Sequence, residues 1–177
     1  MDVLIRLSRI EDAPAFSEAV TRVASEKRYL ATVEGYTVEQ TRSYLQRAAE
    51  GLLYQVVAEV NGRVIGACDI SPRQGTGFTH VGVLGMFLLS EWRGRGIGRQ
   101  LLEACLSAAR NSGLERIELE VFADNEAALH LYETQGFVRE GRKVHGRKFE
   151  GRYQDVLLMA LALDPAPVPG APHGVSR

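Results

Sequence analysis

The stretch Arg93-Gly94-Arg95-Gly96-Ile97-Gly98-Arg99 packs three glycines and three arginines into seven residues. An apolar run, ending Leu88-Leu89, leads into it, and an amphipathic segment follows. Glycine lets the backbone take positive φ and come close to a ligand. The first N–H groups of a helix have no intrahelical partner and carry the positive end of its dipole. A glycine-rich turn opening a helix is therefore an anion site, with phosphate its usual guest. Arg93, Arg95 and Arg99 add charge at the same place. A P-loop is excluded because no Gly-Lys-Ser/Thr follows. The dinucleotide fingerprint fails as well, since its third glycine falls on Arg99 or on Leu101.

The elements that must position this turn follow from the hydrophobic period. Val3–Leu7 reads as a short strand and Glu11–Lys27 as a helix, with Ser8 or Asp12 at its start. Tyr29–Tyr36 is a loop. Thr37 and Gln40 form a capping box for a helix that runs to about Glu50 and stops at Gly51. Leu53–Val60 and Arg63–Ile70 are strands joined by Asn61-Gly62, the preferred sequence of a type I′ hairpin turn. Thr79–Leu89 is a central strand in which Gly82 and Gly85 suggest a bulge or a close backbone approach. Ile97–Ser112 is a helix and Ile117–Val121 a half-buried strand. Asp124 or Asn125 caps a short helix that Gly136 closes. Phe137–Lys143 and Tyr153–Leu163 are the last strands. The order β-αα-βββ-α-β-α-ββ predicts an α+β fold and argues against a doubly wound parallel sheet.

The 177 residues form one domain, expected over 1–163. Asp164–Arg177 holds four of the six prolines and no hydrophobic period, which reads as a disordered tail. A formal net charge of -1 gives no general attraction to nucleic acid or to an acidic membrane. The N-terminus lacks a signal-peptide layout, and no run approaches the roughly 18 apolar residues of a membrane span. A cytoplasmic protein is expected. Cys68 and Cys105 sit in apolar patterns as buried free thiols, and no metal-ligand spacing joins them to the histidines.

Two stretches together resemble the GNAT superfamily of N-acetyltransferases. Arg93, Gly96 and Gly98 match its pyrophosphate signature, Arg/Gln-x-x-Gly-x-Gly/Ala. Leu119–Phe137, with Asn125, Ala127-Ala128, Leu131-Tyr132 and Gly136-Phe137, is similar to its closing motif. The resemblance covers roughly residues 3–162. It implies a mixed, mostly antiparallel sheet flanked by helices on both faces. It also implies acetyl-CoA as cosubstrate, no metal, and a primary amine as acceptor.

Carried over by position, Met86, Phe87 and Leu88 would meet the pantetheine arm through main-chain groups. The Leu88 amide would polarise the thioester carbonyl. Arg93, Gly94, Arg95, Gly96, Ile97, Gly98 and Arg99 would hold the pyrophosphate. Asn125 would touch the arm, although an Asn here is equally a helix N-cap. Tyr132 would protonate the departing thiolate; read by its spacing alone it is a core tyrosine. A lysine-like amine has a pKa of roughly 10.4 and must lose a proton before attack. Many relatives carry a Glu on the central strand, but Thr79–Leu89 holds no carboxylate. His80, Glu118, Glu120, Asp69, Glu34 and a water chain all remain open as the base.

The acceptor pocket would draw on Arg28–Tyr44, with Tyr29, Glu34, Tyr36 and Tyr44. The basic hairpin Arg139–Tyr153 could steer a carboxylate or the cofactor's third phosphate, or be simply solvated. Gly151-Arg152-Tyr153-Gln154-Asp155 resembles an element of enzymes that acetylate amino acids, amino-acid-like toxins and protein N-termini, which places Tyr153 beside the acceptor. An amino-acid-like small molecule or a peptide N-terminus is expected, with a possible homodimer. The alternatives are a polyamine or protein-lysine acetyltransferase and a non-catalytic acyl-CoA sensor.

Overall fold

The computed structural model describes residues 2–163. The tail expected from Asp164 lies outside them. The strands are β1 (Leu4–Leu7), β2 (Tyr54–Val60), β3 (Arg63–Pro72), β4 (Val81–Leu88), β5 (Arg116–Phe122), β6 (Val138–Phe149) and β7 (Arg152–Ala162). The helices are α1 (Ala13–Ser25), α2 (Val38–Ala49), α3 (Ile97–Arg110) and α4 (Glu126–Thr134). One sheet runs β1-β2-β3-β4-β5-β7-β6. Every neighbouring pair is antiparallel except β4 and β5. This is the mixed α+β architecture expected from the element order.

Local chemistry fixes the ends of the elements. The Thr37 hydroxyl accepts from the Gln40 N–H at 3.2 Å while the Gln40 side chain accepts from the Thr37 N–H at 2.9 Å, closing the capping box of α2. Asn61 and Gly62 both have positive φ, 50° and 76°, as a type I′ turn requires. Before α1 the chain makes a single 3-10 turn over Ile10–Asp12, so the helix begins later than its pattern suggested. Asp12 does not cap it; its carboxylate accepts from Arg6 and from the Arg9 N–H.

Two apolar layers sandwich the sheet. Phe16, Val20 and Leu45 of α1 and α2 pack on Val57 and Ala67. On the other face Leu101, Leu102, Cys105 and Leu106 of α3 pack with Val56, Cys68, Ile70, Ile117 and Leu119. Cys68 and Cys105 are free and buried, and burial pushes the Cys68 thiol well up, away from nucleophile chemistry.

One open alternative is decided and one expectation changes. The β3–β4 register is continuous, so Gly82 and Gly85 mark close approaches and not a bulge. A Cβ on Gly82 would stand 2.6 Å from Ile70 Cγ2. The strand expected to end at Lys143 runs on to Phe149, through an irregularity between Lys143 and Arg147 where His145 has φ 54°. Its basic residues hide the alternation, and pairing with β7 sets its length.

Candidate active site

The site arises where two parallel strands part. β4 and β5 pair only from Val81↔Arg116 to Val83↔Glu118. Beyond that, β4 follows β3 as far as Leu88↔Gly66, and β5 follows β7 as far as Phe122↔Val156. The wedge between them is a cleft of about 840 Å³. Leu84–Leu88 form one wall, Glu120–Phe122 the other, and Ala127, Ala128, Leu131 and Tyr132 of α4 close one side.

Leu88 has a definite orientation. The Leu89 N–H donates to Ile65 O at 2.9 Å, toward β3. Successive residues of a strand present their N–H and C=O groups to opposite edges. The N–H of Leu88 therefore points away from β3 into the wedge. Its carbonyl points the same way and accepts from Arg93 Nε at 2.9 Å.

The glycine turn lies at the same end. Gly94 and Gly96 have φ of 70° and 76°, and Gly96 is the N-cap of α3. Among the described residues, the amides of Gly94–Arg99 meet no protein acceptor. Gly94, Gly96, Gly98 and Arg99 line the cleft. Consecutive free amides at a helix start fit an anion with several acceptor oxygens, such as a pyrophosphate.

The arginine side chains are engaged elsewhere. Besides Leu88 O, Arg93 grips Glu26 with both terminal nitrogens at 2.7 and 2.6 Å and lies over the Tyr29 ring. Arg99 pairs with Glu103 at 2.7 Å. Arg95 stacks on Trp92 and lines a separate recess with Asp2, Val3 and Gln100. Ile97 is buried and offers only its amide. The charge expected from three arginines thus reduces to backbone amides, with Arg99 at the rim.

Met86, Phe87, Leu88, Asn125, Tyr132 and Tyr29 all reach the cleft. Asn125 caps α4, its Oδ1 accepting from the Ala128 N–H at 3.3 Å. Tyr132 is 7% exposed and packs on Phe137 at 5.6 Å between ring centroids. Burial raises its phenol, with Cys68 adding to the effect, so the hydroxyl stays protonated. Its oxygen has no protein partner among the described residues.

Glu34 and Tyr153 are not brought to the cleft: Glu34 is exposed, and Tyr153 stacks on His145 at 4.5 Å. Of the other acids, Glu118 is tied to Arg73 and Arg116 beside the last rung that joins β4 and β5. His80 precedes that rung at the far end of the strand. Glu120 lines the cleft and pairs with Lys143.

Asp69 is placed differently. It stands opposite Gly85 in the β3–β4 register, and a Cβ on Gly85 would be 3.2 Å from Asp69 Oδ1. Its Oδ2 accepts from the Tyr44 hydroxyl at 2.6 Å. Burial pushes the carboxyl up to about 6, against the Tyr44 hydrogen bond, which lowers it. Opposite Asp69 on β2, Gln55 is 2% exposed, and both of its side-chain polar atoms lack a partner among the described residues. Residues paired across a ladder share a face. Gln55, Asp69 and Gly85 thus form one polar row under α2 that ends at the cleft wall. The Gln55 side of this row had no sequence signal.

Comparison with known proteins follows the same line. The sequence profile of the Acetyltransferase (GNAT) family matches residues 18–137. The chain belongs to the GNAT family of acetyltransferases. It is 35% identical to the L-amino acid N-acetyltransferase AaaT of Escherichia coli over 113 residues, 60% of this chain and 66% of that protein. A GNAT acetyltransferase from Streptococcus pneumoniae superposes with a TM-score of 0.86 at 30% identity, covering 92% of this chain and all of the other. The fold is also that of yncA from Salmonella typhimurium, solved with its cofactor acetyl-CoA, with a TM-score of 0.87 at 22% identity over 97% of this chain and 99% of that one. Among the described residues of this GNAT chain, no cluster of His, Cys, Asp or Glu could hold a metal, and no helix is long and apolar enough to cross a membrane.

Proposed function

We propose that this protein transfers the acetyl group of acetyl-CoA to the primary amine of an amino-acid-like small molecule or a peptide N-terminus, by direct attack in a ternary complex. The observation that carries the reading is the parting of β4 and β5, which turns the Leu88 N–H into a cleft whose entrance is a row of unpaired amides. The relative named as an L-amino acid N-acetyltransferase supports the acceptor class.

When bound, acetyl-CoA supplies the activated acyl group. Gly94–Arg99 hold its pyrophosphate through their amides, and the cleft walls take the pantetheine arm beside Asn125. The Leu88 N–H donates to the thioester oxygen as negative charge grows there, the kind of fixed donor that lowers such barriers most. Asp69 takes a proton from the incoming ammonium through water at the Gly85 gap, since a carboxyl raised by burial is better matched to this task than an ordinary one. As the new C–N bond forms and the C–S bond breaks, Tyr132 gives its proton to the sulfur, and the second proton released by the acylated nitrogen returns through water to the Tyr132 oxygen. No covalent enzyme intermediate is required.

Calorimetric titration with acetyl-CoA, repeated on Gly96→Glu, tests the reading. Binding to the native protein that the variant loses, followed by thiol release with an amine acceptor, is the expected result. Absence of binding to the native protein overturns it. Binding without turnover of amino acids, peptides, polyamines or lysine side chains points instead to an acyl-CoA sensor.

A further inference from the structure

Arg147 sits on β6 and lines the cleft beside Gly146, Val156 and Phe122. Its surroundings are unusual for a cation. The guanidinium carbon lies 4.9 Å from the Phe122 ring centroid and 5.1 Å from that of Phe149, so aromatic rings replace much of its water. Nη1 donates to two neutral oxygens, Lys27 O at 3.0 Å and Gln154 Oε1. Nη2 is buried and has no partner among the described residues. Arg93 and Arg99, the other arginines of the cleft, each hold a carboxylate. Among the described residues Arg147 holds none; Asp124 is linked to it only through Gln154.

A guanidinium withdrawn from water without a counter-ion is costly, and its free edge fits one planar anion. The sheet face it occupies matters too. Arg147 pairs with Gln154 and Phe122 with Val156, so all four side chains lie on one face. By strand alternation Glu120 shares that face, which is the one covered by α1 and α2 and carrying Asp69 and Gly85. Cation and acids therefore flank one end of the wedge, the arrangement a zwitterion needs.

We infer that Arg147 is the carboxylate anchor of the acceptor site, and that the acceptor is a free amino acid held by its α-carboxylate. This rests on the proposed acetyl transfer and narrows its acceptor. A peptide N-terminus presents an amide where Arg147 expects a carboxylate, and a polyamine presents a second cation.

The test compares thiol release with the twenty protein L-amino acids and with their carboxamides, which keep the amine and side chain but lose the charge. For the amino acids that turn over, the acid is expected to exceed its amide in kcat/KM by about 100-fold or more, mostly through KM, as for other buried charge pairs. In Arg147→Met this preference disappears while acetyl-CoA titrates as in the native protein. Should Arg147→Met fail to fold, Arg147→Lys serves: its ammonium keeps charge but not the planar fork, and the preference falls at least tenfold. Amides used as well as acids, a preference that survives both substitutions, or turnover of peptides or polyamines alone overturns the anchor and leaves the acetyltransferase reading standing. Failure of the native protein to bind acetyl-CoA overturns both.

Discussion

Arg93 Nε donates to the carbonyl oxygen of Leu88 at 2.9 Å. The contact fixes the last residue of β4 where its neighbour on β5 has departed, and where no ladder partner would otherwise hold that edge. Glu26 holds the other end of the guanidinium. Arg93 thus braces the peptide group that follows the Leu88 N–H, and with it the orientation of Leu88.

A brace and a phosphate ligand predict different outcomes. Glu26→Gln removes half of the ion pair without touching any phosphate site. As a brace, Arg93 should lose its hold, and kcat should fall about tenfold with the acetyl-CoA affinity unchanged. Arg93→Lys should do the same, because an ammonium cannot serve Leu88 O and both Glu26 oxygens together. Steady-state kinetics with calorimetry decide. If Glu26→Gln keeps kcat and tightens acetyl-CoA binding, Arg93 is a phosphate ligand restrained by its acid.

Removing the Tyr132 hydroxyl should be silent for the fold and severe for the reaction. The oxygen has no protein partner to lose, and the ring packing on Phe137 stays. Tyr132→Phe is expected to melt within a few degrees of the native protein and to lose about 10²-fold or more in kcat, the usual range for a proton-transfer group. An unchanged kcat would reduce Tyr132 to a packing residue.

Gly66 faces Leu88 across the β3–β4 ladder. A Cβ there would stand 2.8 Å from the Phe87 carbonyl oxygen and 2.6 Å from Leu88 Cδ1. The Leu88 side chain can rotate away, but the carbonyl belongs to the strand. Gly66→Ala should therefore destabilise the fold by about 1–3 kcal/mol in denaturant titration. It should also lower kcat, because the displaced backbone carries the Leu88 N–H. Loss of stability with kcat intact would mean that the strand end adapts without moving the amide.

The turn at Gly94–Gly98, the Thr37 cap, the Asn61-Gly62 hairpin and the motif around Tyr132 were legible because each is local: a few adjacent residues dictate each geometry. The wedge was not. Nothing in Thr79–Leu89 or Ile117–Val121 says that two paired strands separate after Val83 and Glu118; Gly82 and Gly85 record only that something approaches closely. The partners of the arginines were only partly legible. Trp92 and Glu103 lie within four residues of Arg95 and Arg99, whereas Glu26, which engages Arg93, is 67 residues away and is brought there by the fold. Arg147 was one cation of a basic hairpin that could steer a carboxylate or a phosphate or be solvated, and only the length of β6 brings it over Phe122.

The last prediction concerns Asp69 and pH. Burial lifts its carboxyl to about 6. Below that it is protonated and cannot accept from an amine. The kcat/KM for the acceptor should therefore rise through an acidic limb near pH 6, with Asp69→Asn losing about 10²-fold in rate and the limb itself. The asparagine carbonyl can still accept from Tyr44, and the other polar groups around it, Gln55, Ser71 and Arg47, are untouched, so the fold should persist. Stability supplies an independent reading. A carboxyl whose folded pKa lies above its unfolded value stabilises the protein fully below about pH 3.9, and that contribution is lost as pH rises through 6. About two pKa units correspond to roughly 3 kcal/mol. Relative to Asp69→Asn, the native protein should lose about that much between pH 4 and 7 in denaturant titrations. If the stability difference appears but the kinetic limb survives in Asp69→Asn, Asp69 is a buried acid without a part in the reaction, and Glu120, on the opposite wall, becomes the group to substitute.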